Sequence, residues 1–151
     1  EILFSCIDWD EDAHSFSKRS LSALPRNIKV DFIKADILNF AKNADFFKQN
    51  GLYDLAYSIG LADYLPDRVL KNVIKNSFEG LNPGGEFIIS HKDREIAFSH
   101  LPPEWFCDWV FVQRNEKEML DIVNQVGLGK FVGKIMRDKT EQIFFINLLK
   151  E

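Results

Sequence analysis

Apolar residues follow two different periods along the chain, and the two periods alternate. Continuous or alternating apolar runs, typical of strands, are separated by segments with an apolar residue every three or four positions, typical of helices. The runs predict strands at residues 2–7, 28–34, 55–59, 86–90, 131–137 and 142–149. The element order that follows is βαβαβαβαββ.

Helices are predicted in the segments between these strands, where boundary residues mark their ends. Residues 92–114 are expected to be irregular and aromatic. The predicted helices begin at the acidic residues 10–12, span residues 39–50, begin at Pro66 with proline in the first turn, and begin at Asn115, where Glu118 completes a capping box.

Alternating strands and helices favour an α/β sheet covered by helices on both faces. The link at Asp138-Lys139-Thr140 is too short for a parallel crossover, so the last two strands must be antiparallel. We therefore predict an α/β, Rossmann-like fold with a mostly parallel sheet and an antiparallel C-terminal hairpin. Residues 1–151 are expected to form a single domain.

Composition narrows the classes of function. The chain has 46% hydrophobic and 28% charged residues, a globular composition. Its net charge of −4 disfavours nucleic-acid binding, and it has no apolar run long enough to span a membrane. Cys6 and Cys107 form no metal or disulfide pattern, so a reducing cytoplasm is expected.

Candidate chemistry lies at the carboxyl ends of the predicted parallel strands, where such sheets bind ligands. Asp8 and Trp9 end the first strand: a carboxylate can accept hydrogen bonds from ribose hydroxyls, and a flat ring can cover a base. Asp36 and Ile37 repeat this pattern after the second strand. The alternatives are that Asp8 caps the following helix while Trp9 packs locally, and that Asp36 is a turn residue.

The third strand ends at Ser58, Ile59 and Gly60, where glycine would let a ligand approach the backbone closely. An ordinary turn is the alternative. His14, His91 and His100 show no metal-ligand spacing, so no metal site is expected.

Together, these strand ends resemble class I S-adenosylmethionine-dependent methyltransferases. The resemblance also rests on Tyr53-Asp54-Leu55 before the third strand and on Asn82-Pro83-Gly84-Gly85 before the fourth. It implies S-adenosylmethionine as cofactor, bound through the strand-end residues named above: Asp8, Trp9, Asp36, Ile37, Ser58, Ile59 and Gly60.

A narrower resemblance connects the chain with bacterial enzymes that methylate 3-hydroxy fatty acids. It rests on residues 60–65, residues 104–109 and Arg114. It implies a small-molecule acceptor contacted by Tyr64, His91, Trp105, Trp109 and Arg114. The aromatic residues could instead cover the sheet, and the cations Lys92, Arg94 and Arg114 could be solvated, or one could hold a substrate carboxylate.

The chain departs from this family in one respect. The family's first strand and glycine-rich loop have no counterpart here, and the cluster Gly127-Leu128-Gly129 is interpreted as a helix cap and turn. The resemblance implies the strand order 3-2-1-4-5-7-6 with strand 1 absent. We therefore expect the C-terminal portion of a methyltransferase catalytic domain, carrying half a cofactor site, with exposed sheet edges that could self-associate.

Two alternatives from other classes stay open. The chain could be a non-catalytic methyltransferase-like binding module, or a fragment of a nucleotide-binding oxidoreductase with a similar ribose-binding acid. A glycine-rich loop encoded upstream of Glu1 would argue against the first. The turn at residues 82–85 and the terminal hairpin argue against the second.

Overall fold

A computed structural model gives the architecture of the chain and describes residues 1–96, 101–108 and 110–151. The chain divides into two compact units, residues 1–42 and residues 43–151. That residues 1–151 belong to one catalytic domain stays a prediction.

The first unit is a βαβα segment built on a two-stranded parallel sheet. Ile2 pairs with Ile28 and Asp8 with Lys34, so both strands end at the same edge. Its elements are β1 (Ile2–Asp8), α1 (Glu11–Ser20), β2 (Ile28–Lys34) and α2 (Ile37–Lys42).

Helix α1 begins where the acidic cluster predicts it. The Asp10 side chain accepts hydrogen bonds from the backbone N–H groups of Asp12 and Ala13, which would otherwise lack partners. Acidic residues in the first turn and basic residues in the last turn favour the helix dipole. The helix ends at Ser20.

The second unit carries a four-stranded mixed sheet in the order β3-β4-β6-β5. Strands β3 and β4 are parallel, and β6 is antiparallel to both of its neighbours, as the short link predicts. The elements are α3 (Phe46–Asn50), β3 (Tyr53–Ser58), a 3₁₀ turn (Ala62–Tyr64), α4 (Asp67–Glu79), β4 (Leu81–Lys92), α5 (Leu101–Cys107), α6 (Glu116–Gln125), β5 (Phe131–Arg137) and β6 (Ile143–Lys150).

The core of the second unit lies between this sheet and helices α4 and α6. Leu70 and Ile74 on α4 are fully buried, as are Met119 on α6 and Ile146 on β6. Each such side chain contributes about 1.5–3 kcal/mol by leaving water. The helical spacing of the apolar residues after Pro66 predicts this face correctly.

The prediction of one mostly parallel sheet is wrong in two respects. The strands form two sheets, and the larger sheet has one parallel and two antiparallel pairs. The expected family order puts a strand between the counterparts of β1 and β3, and no strand of the described residues takes that position. Without it, the two ladders share no strand, although the pairings inside each sheet agree with that order.

Three local predictions also need correction. The single helix expected over residues 39–50 is two short helices, α2 and α3, with a break after Lys42. Part of the irregular segment 92–114 is helix α5. The turn at residues 82–85 lies inside β4, where three extra residues bulge against β3 between the pairs Tyr53–Leu81 and Leu55–Glu86.

Glycines make this bulge sterically possible. Gly84 has a φ of +79°, a conformation that L-residues rarely adopt. A Cβ on Gly85 would lie 2.9 Å from the Asn82 carbonyl oxygen, a backbone atom that cannot move aside.

Substitution of Gly80, at the end of α4, tests the packing of α3 against this unit. A Cβ there would lie 2.2 Å from ring atoms of Phe47, a buried side chain. We expect Gly80→Ala to lower the free energy of unfolding by about 1–3 kcal/mol in urea titrations, because overpacking outweighs any gain in helix propensity.

Gly129→Ala is the matched control, since a Cβ there meets no atom within 4 Å. The loss from Gly80→Ala should shrink in a Phe47→Leu background, where the bulky ring is absent. An equal loss in both backgrounds would contradict the proposed clash.

Candidate functional site

Two carboxylates lie at the same edge of the two-stranded sheet. Asp8 is the last residue of β1, and Asp36 follows the end of β2 by two positions. The backbone N–H of Ala35 donates to the Asp8 carbonyl at 3.0 Å, which extends the parallel pairing to this edge. The topology therefore brings together both acids that the sequence singles out.

Each carboxylate is oriented by the backbone through one oxygen. Asp8 Oδ1 accepts from the N–H of Asp10 at 3.0 Å, and Asp36 Oδ1 accepts from the N–H of Leu38 at 2.8 Å. Within the described residues, the second oxygen of each has no hydrogen-bond donor from the protein. These oxygens can accept hydrogen bonds from hydroxyl or amine groups of a ligand.

Apolar surface accompanies each acid. Trp9 follows Asp8 with 69% of its surface exposed, so its indole face is open to contact. Ile37 is half-buried at the first position of α2. The arrangement gives the first unit two polar and two apolar contact points near the ends of its strands.

In the second unit, Ser58, Ile59 and Gly60 follow one another at the end of β3. Gly60 has a φ of +77° and open space where a Cβ would stand. Its N–H donates to Ser90 Oγ at 3.0 Å, which ties the end of β3 to β4. Ile59 is 57% exposed, so the backbone here is both fixed and accessible.

A polar cluster, in which Asp63, His91 and Arg114 are buried and Asp67 is exposed, lies beyond these strand ends. We call it the Arg114 cluster and define it by Asp63, Asp67, His91 and Arg114. Arg114, 3% exposed, donates to Asp67 Oδ1 from Nε and Nη2 at 3.0 and 2.7 Å. It also donates to the carbonyl oxygens of Ala62 and Leu65 at 3.1 and 2.6 Å.

His91 completes the cluster in a defined protonation state. Arg114 Nη1 lies 3.2 Å from His91 Nε2, and because a guanidinium can only donate, Nε2 must be the acceptor. The proton therefore sits on Nδ1, which faces the Lys92 carbonyl at 2.7 Å and Asp63 Oδ1 at 3.1 Å. Burial lowers the pKa of His91, and the Arg114 charge adds to this against the opposing carboxylate of Asp63.

The cluster fixes the segment between β3 and α4. Asp63 Oδ1 accepts from the N–H of Lys92 at 2.9 Å, and the Asp63 carbonyl accepts from the N–H of Val112 at 2.7 Å. The 3₁₀ turn is thus held from β4 and from the segment before α6.

Sequence reasoning gives His91 and Arg114 a role in acceptor binding but assigns none to Asp63 and Asp67. Two local patterns could have pointed to these acids. Arg114 stands just before the capping box, and Asp63 and Asp67 flank the helix start at Pro66. Because Arg114 and Asp67 are 47 positions apart, no local pattern pairs them.

The aromatic residues that are predicted to contact an acceptor differ in exposure and in their neighbours. The Tyr64 ring lies 5.5 Å from that of Phe111 and is 38% exposed. Trp105 on α5 is 79% exposed, so its ring lines no enclosed pocket in this structure. Trp109 lies outside the described residues. Their contact with an acceptor stays a prediction.

Within the described part of the chain, no group of three metal-ligating side chains is close enough to hold an ion. The same residues include no helix with the length and hydropathy needed to span a membrane.

The fold is similar to that of solved proteins, among them two methyltransferases. A possible exported protein from Bordetella parapertussis matches 97% of this chain and 52% of its own, with a TM-score of 0.70 and 19% identity. An O-methyltransferase family protein from Burkholderia thailandensis matches 97% of this chain and 43% of its own (TM-score 0.68, 15% identity). Human N-acetylserotonin methyltransferase was solved in complex with S-adenosylmethionine. Its match covers 97% of this chain and 40% of the human chain, with a TM-score of 0.63 and 15% identity.

These three similarities establish the fold and span about half of each solved chain or less. No family model and no curated protein matches the sequence.

The protonation state of His91 makes a prediction about stability. Since its pKa is lowered in the folded protein, the unfolded chain binds the proton more readily. The contribution of neutral His91 to the free energy of unfolding should be complete above about pH 6.5 and should decline as the pH falls below that value. We expect urea titrations to show a steeper loss of stability toward acid pH in the wild type than in His91→Gln.

Glutamine is the matched replacement because its amide offers one acceptor and one donor without titrating. The comparison between variant and wild type removes the contributions of all titrating groups that both proteins share. Parallel pH profiles for the two proteins would contradict the neutral, buried assignment of His91.

Proposed function

We propose that the protein containing this chain transfers a methyl group from S-adenosylmethionine to a small-molecule acceptor, the carboxylate of a 3-hydroxy fatty acid. The observation that carries the proposal is the likeness of its fold to solved methyltransferases, one of them bound to S-adenosylmethionine. The placement of acids and glycine at the strand ends supports the same proposal.

The strand-end residues have the chemistry that this cofactor needs. Asp8 would accept hydrogen bonds from the ribose hydroxyls, and Asp36 from the adenine amine, each through the oxygen that the backbone does not hold. Trp9 and Ile37 would contact the base. That Ser58, Ile59 and Gly60, at the end of β3 in the second unit, also contact the cofactor stays a prediction from the sequence.

When bound, S-adenosylmethionine supplies a methyl carbon activated by a sulfonium. A carboxylate oxygen of the acceptor forms the new O–C bond while the C–S bond breaks, giving a methyl ester and S-adenosylhomocysteine. No proton is transferred, because a carboxylic acid is already ionised at neutral pH. The protein therefore has to orient the reactants and exclude water, without supplying a strong base.

The state of His91 supports an acceptor of this kind. Its Nε2 accepts from Arg114 and its Nδ1 faces the Lys92 carbonyl and Asp63, so neither nitrogen is available as a base. A hydroxyl or amine acceptor that has to lose a proton would need such a group. A carboxylate acceptor would not.

A non-catalytic binding module is the second candidate function. Strand β3 has an open edge in its sheet, and Leu55, Tyr57 and Ile59 along or just beyond it are each at least half exposed. Unpaired sheet edges with apolar side chains recruit other chains. Such a module would bind a partner or a second copy of itself but would not need S-adenosylmethionine.

The cofactor proposal is tested by Asp8→Asn in the full-length gene product. The substitution keeps the Oδ1 acceptor for the N–H of Asp10 but replaces the other oxygen with an amide nitrogen that cannot accept. We expect calorimetry to show S-adenosylmethionine binding weakened by about 1.5–3 kcal/mol, the range for a hydrogen bond to a charged group.

Asp31→Asn, an exposed change within β2, is the matched control and should leave binding unchanged. Unchanged affinity in Asp8→Asn would remove Asp8 from the site. A full-length protein that does not bind S-adenosylmethionine at all would contradict the methyltransferase proposal and favour the binding module.

A further inference from the structure

Three cationic side chains lie near the end of β4: Lys92, Arg94 and Arg114. They differ in the partners that they contact. The Arg114 guanidinium is buried against Asp67 and two carbonyl oxygens. Arg94 Nη2 lies 3.0 Å from Glu118 Oε1, an ion pair at the start of α6. Neither cation is left to neutralise the charge of a ligand.

Lys92 differs from both arginines. Among the described residues, no carboxylate lies within 4.0 Å of its Nζ. The nearby acids have other partners: Asp63 receives the backbone N–H of Lys92 and faces His91, and Asp93 pairs with Arg137 at 2.7 Å.

An aromatic surface lies beside the Lys92 ammonium group. Nζ stands 5.0 Å from the centroid of the Phe111 ring, and Phe111 contacts Tyr64. A shallow recess here is lined by Lys92, Phe111 and Gln113, with Asp63, His91, Asp93 and Arg94 as its other lining residues. A half-buried cation beside aromatic rings suits a ligand with an anionic head and an apolar chain.

We propose that Lys92 is the residue that binds the carboxylate of the acceptor, with Phe111 and Tyr64 contacting the adjoining part of its apolar chain. This inference rests on the proposed function and narrows it to acceptors with an anionic head. Nζ holds one carboxylate oxygen and leaves the other for the new O–C bond. Because this contact exists before and during the reaction, its loss should raise KM and leave kcat largely unchanged.

Direct binding tests the assignment independently of catalysis. Octanoate and 1-octanol have the same chain length and differ in the charge of the head group, so their calorimetric titrations separate head from chain. In the full-length gene product, Lys92→Met should weaken octanoate binding about tenfold or more and leave 1-octanol binding unchanged. Lys92→Arg, which keeps the charge, should retain most of the octanoate affinity.

Lys71→Met is the matched control: Lys71 is also half-buried, and its Nζ contacts the amide of Gln125, not a carboxylate. It should leave both affinities unchanged. The proposal is overturned if Lys92→Met leaves octanoate binding intact, if it weakens both ligands equally, or if the wild type binds no octanoate. Failure of S-adenosylmethionine binding would instead overturn the proposed function, and the octanoate titration would still decide the role of Lys92.

Discussion

A guanidinium buried at the end of a sheet is the constraint on which the second unit depends. Arginine stays charged at every physiological pH, so its donors must all find acceptors once water is excluded. Arg114 finds them in Asp67, in the carbonyl oxygens of Ala62 and Leu65, and in His91 Nε2. These contacts fix the path of the chain after β3, the start of α4 and the tautomer of His91.

Sequence reasoning succeeds where the structure follows local rules. The apolar face of α4 and the capping box of Asn115 and Glu118 each depend on residues within one or two helical turns, and both are present as predicted. It fails where distant backbone decides the outcome. The bulge at residues 82–85 exists because β4 keeps its pairing with β3 on both sides of the extra residues. The sequence of these residues is typical of a turn and does not show that pairing continues beyond them.

The candidate site divides along the same line. Asp8 and Asp36 could be placed at one sheet edge from sequence, because parallel strands of known direction bring their ends together. Sequence could not predict the neutral state of His91 or the different environments of Lys92, Arg94 and Arg114. Each of these depends on burial or on a partner that is distant in sequence. The division into two sheets could not be predicted either, since among the described residues no strand joins β1 to β3.

The position of β6 has a consequence for how the second unit assembles. This strand follows β5 in sequence but lies between β4 and β5 in the sheet, where Ile146 pairs with Ile89 on one side and with Ile135 on the other. During synthesis, β4 and β5 therefore leave the ribosome before the strand that joins them exists. Until residues 143–150 emerge, β4 and β5 each have a backbone edge without its partner, and such an edge can pair with another chain.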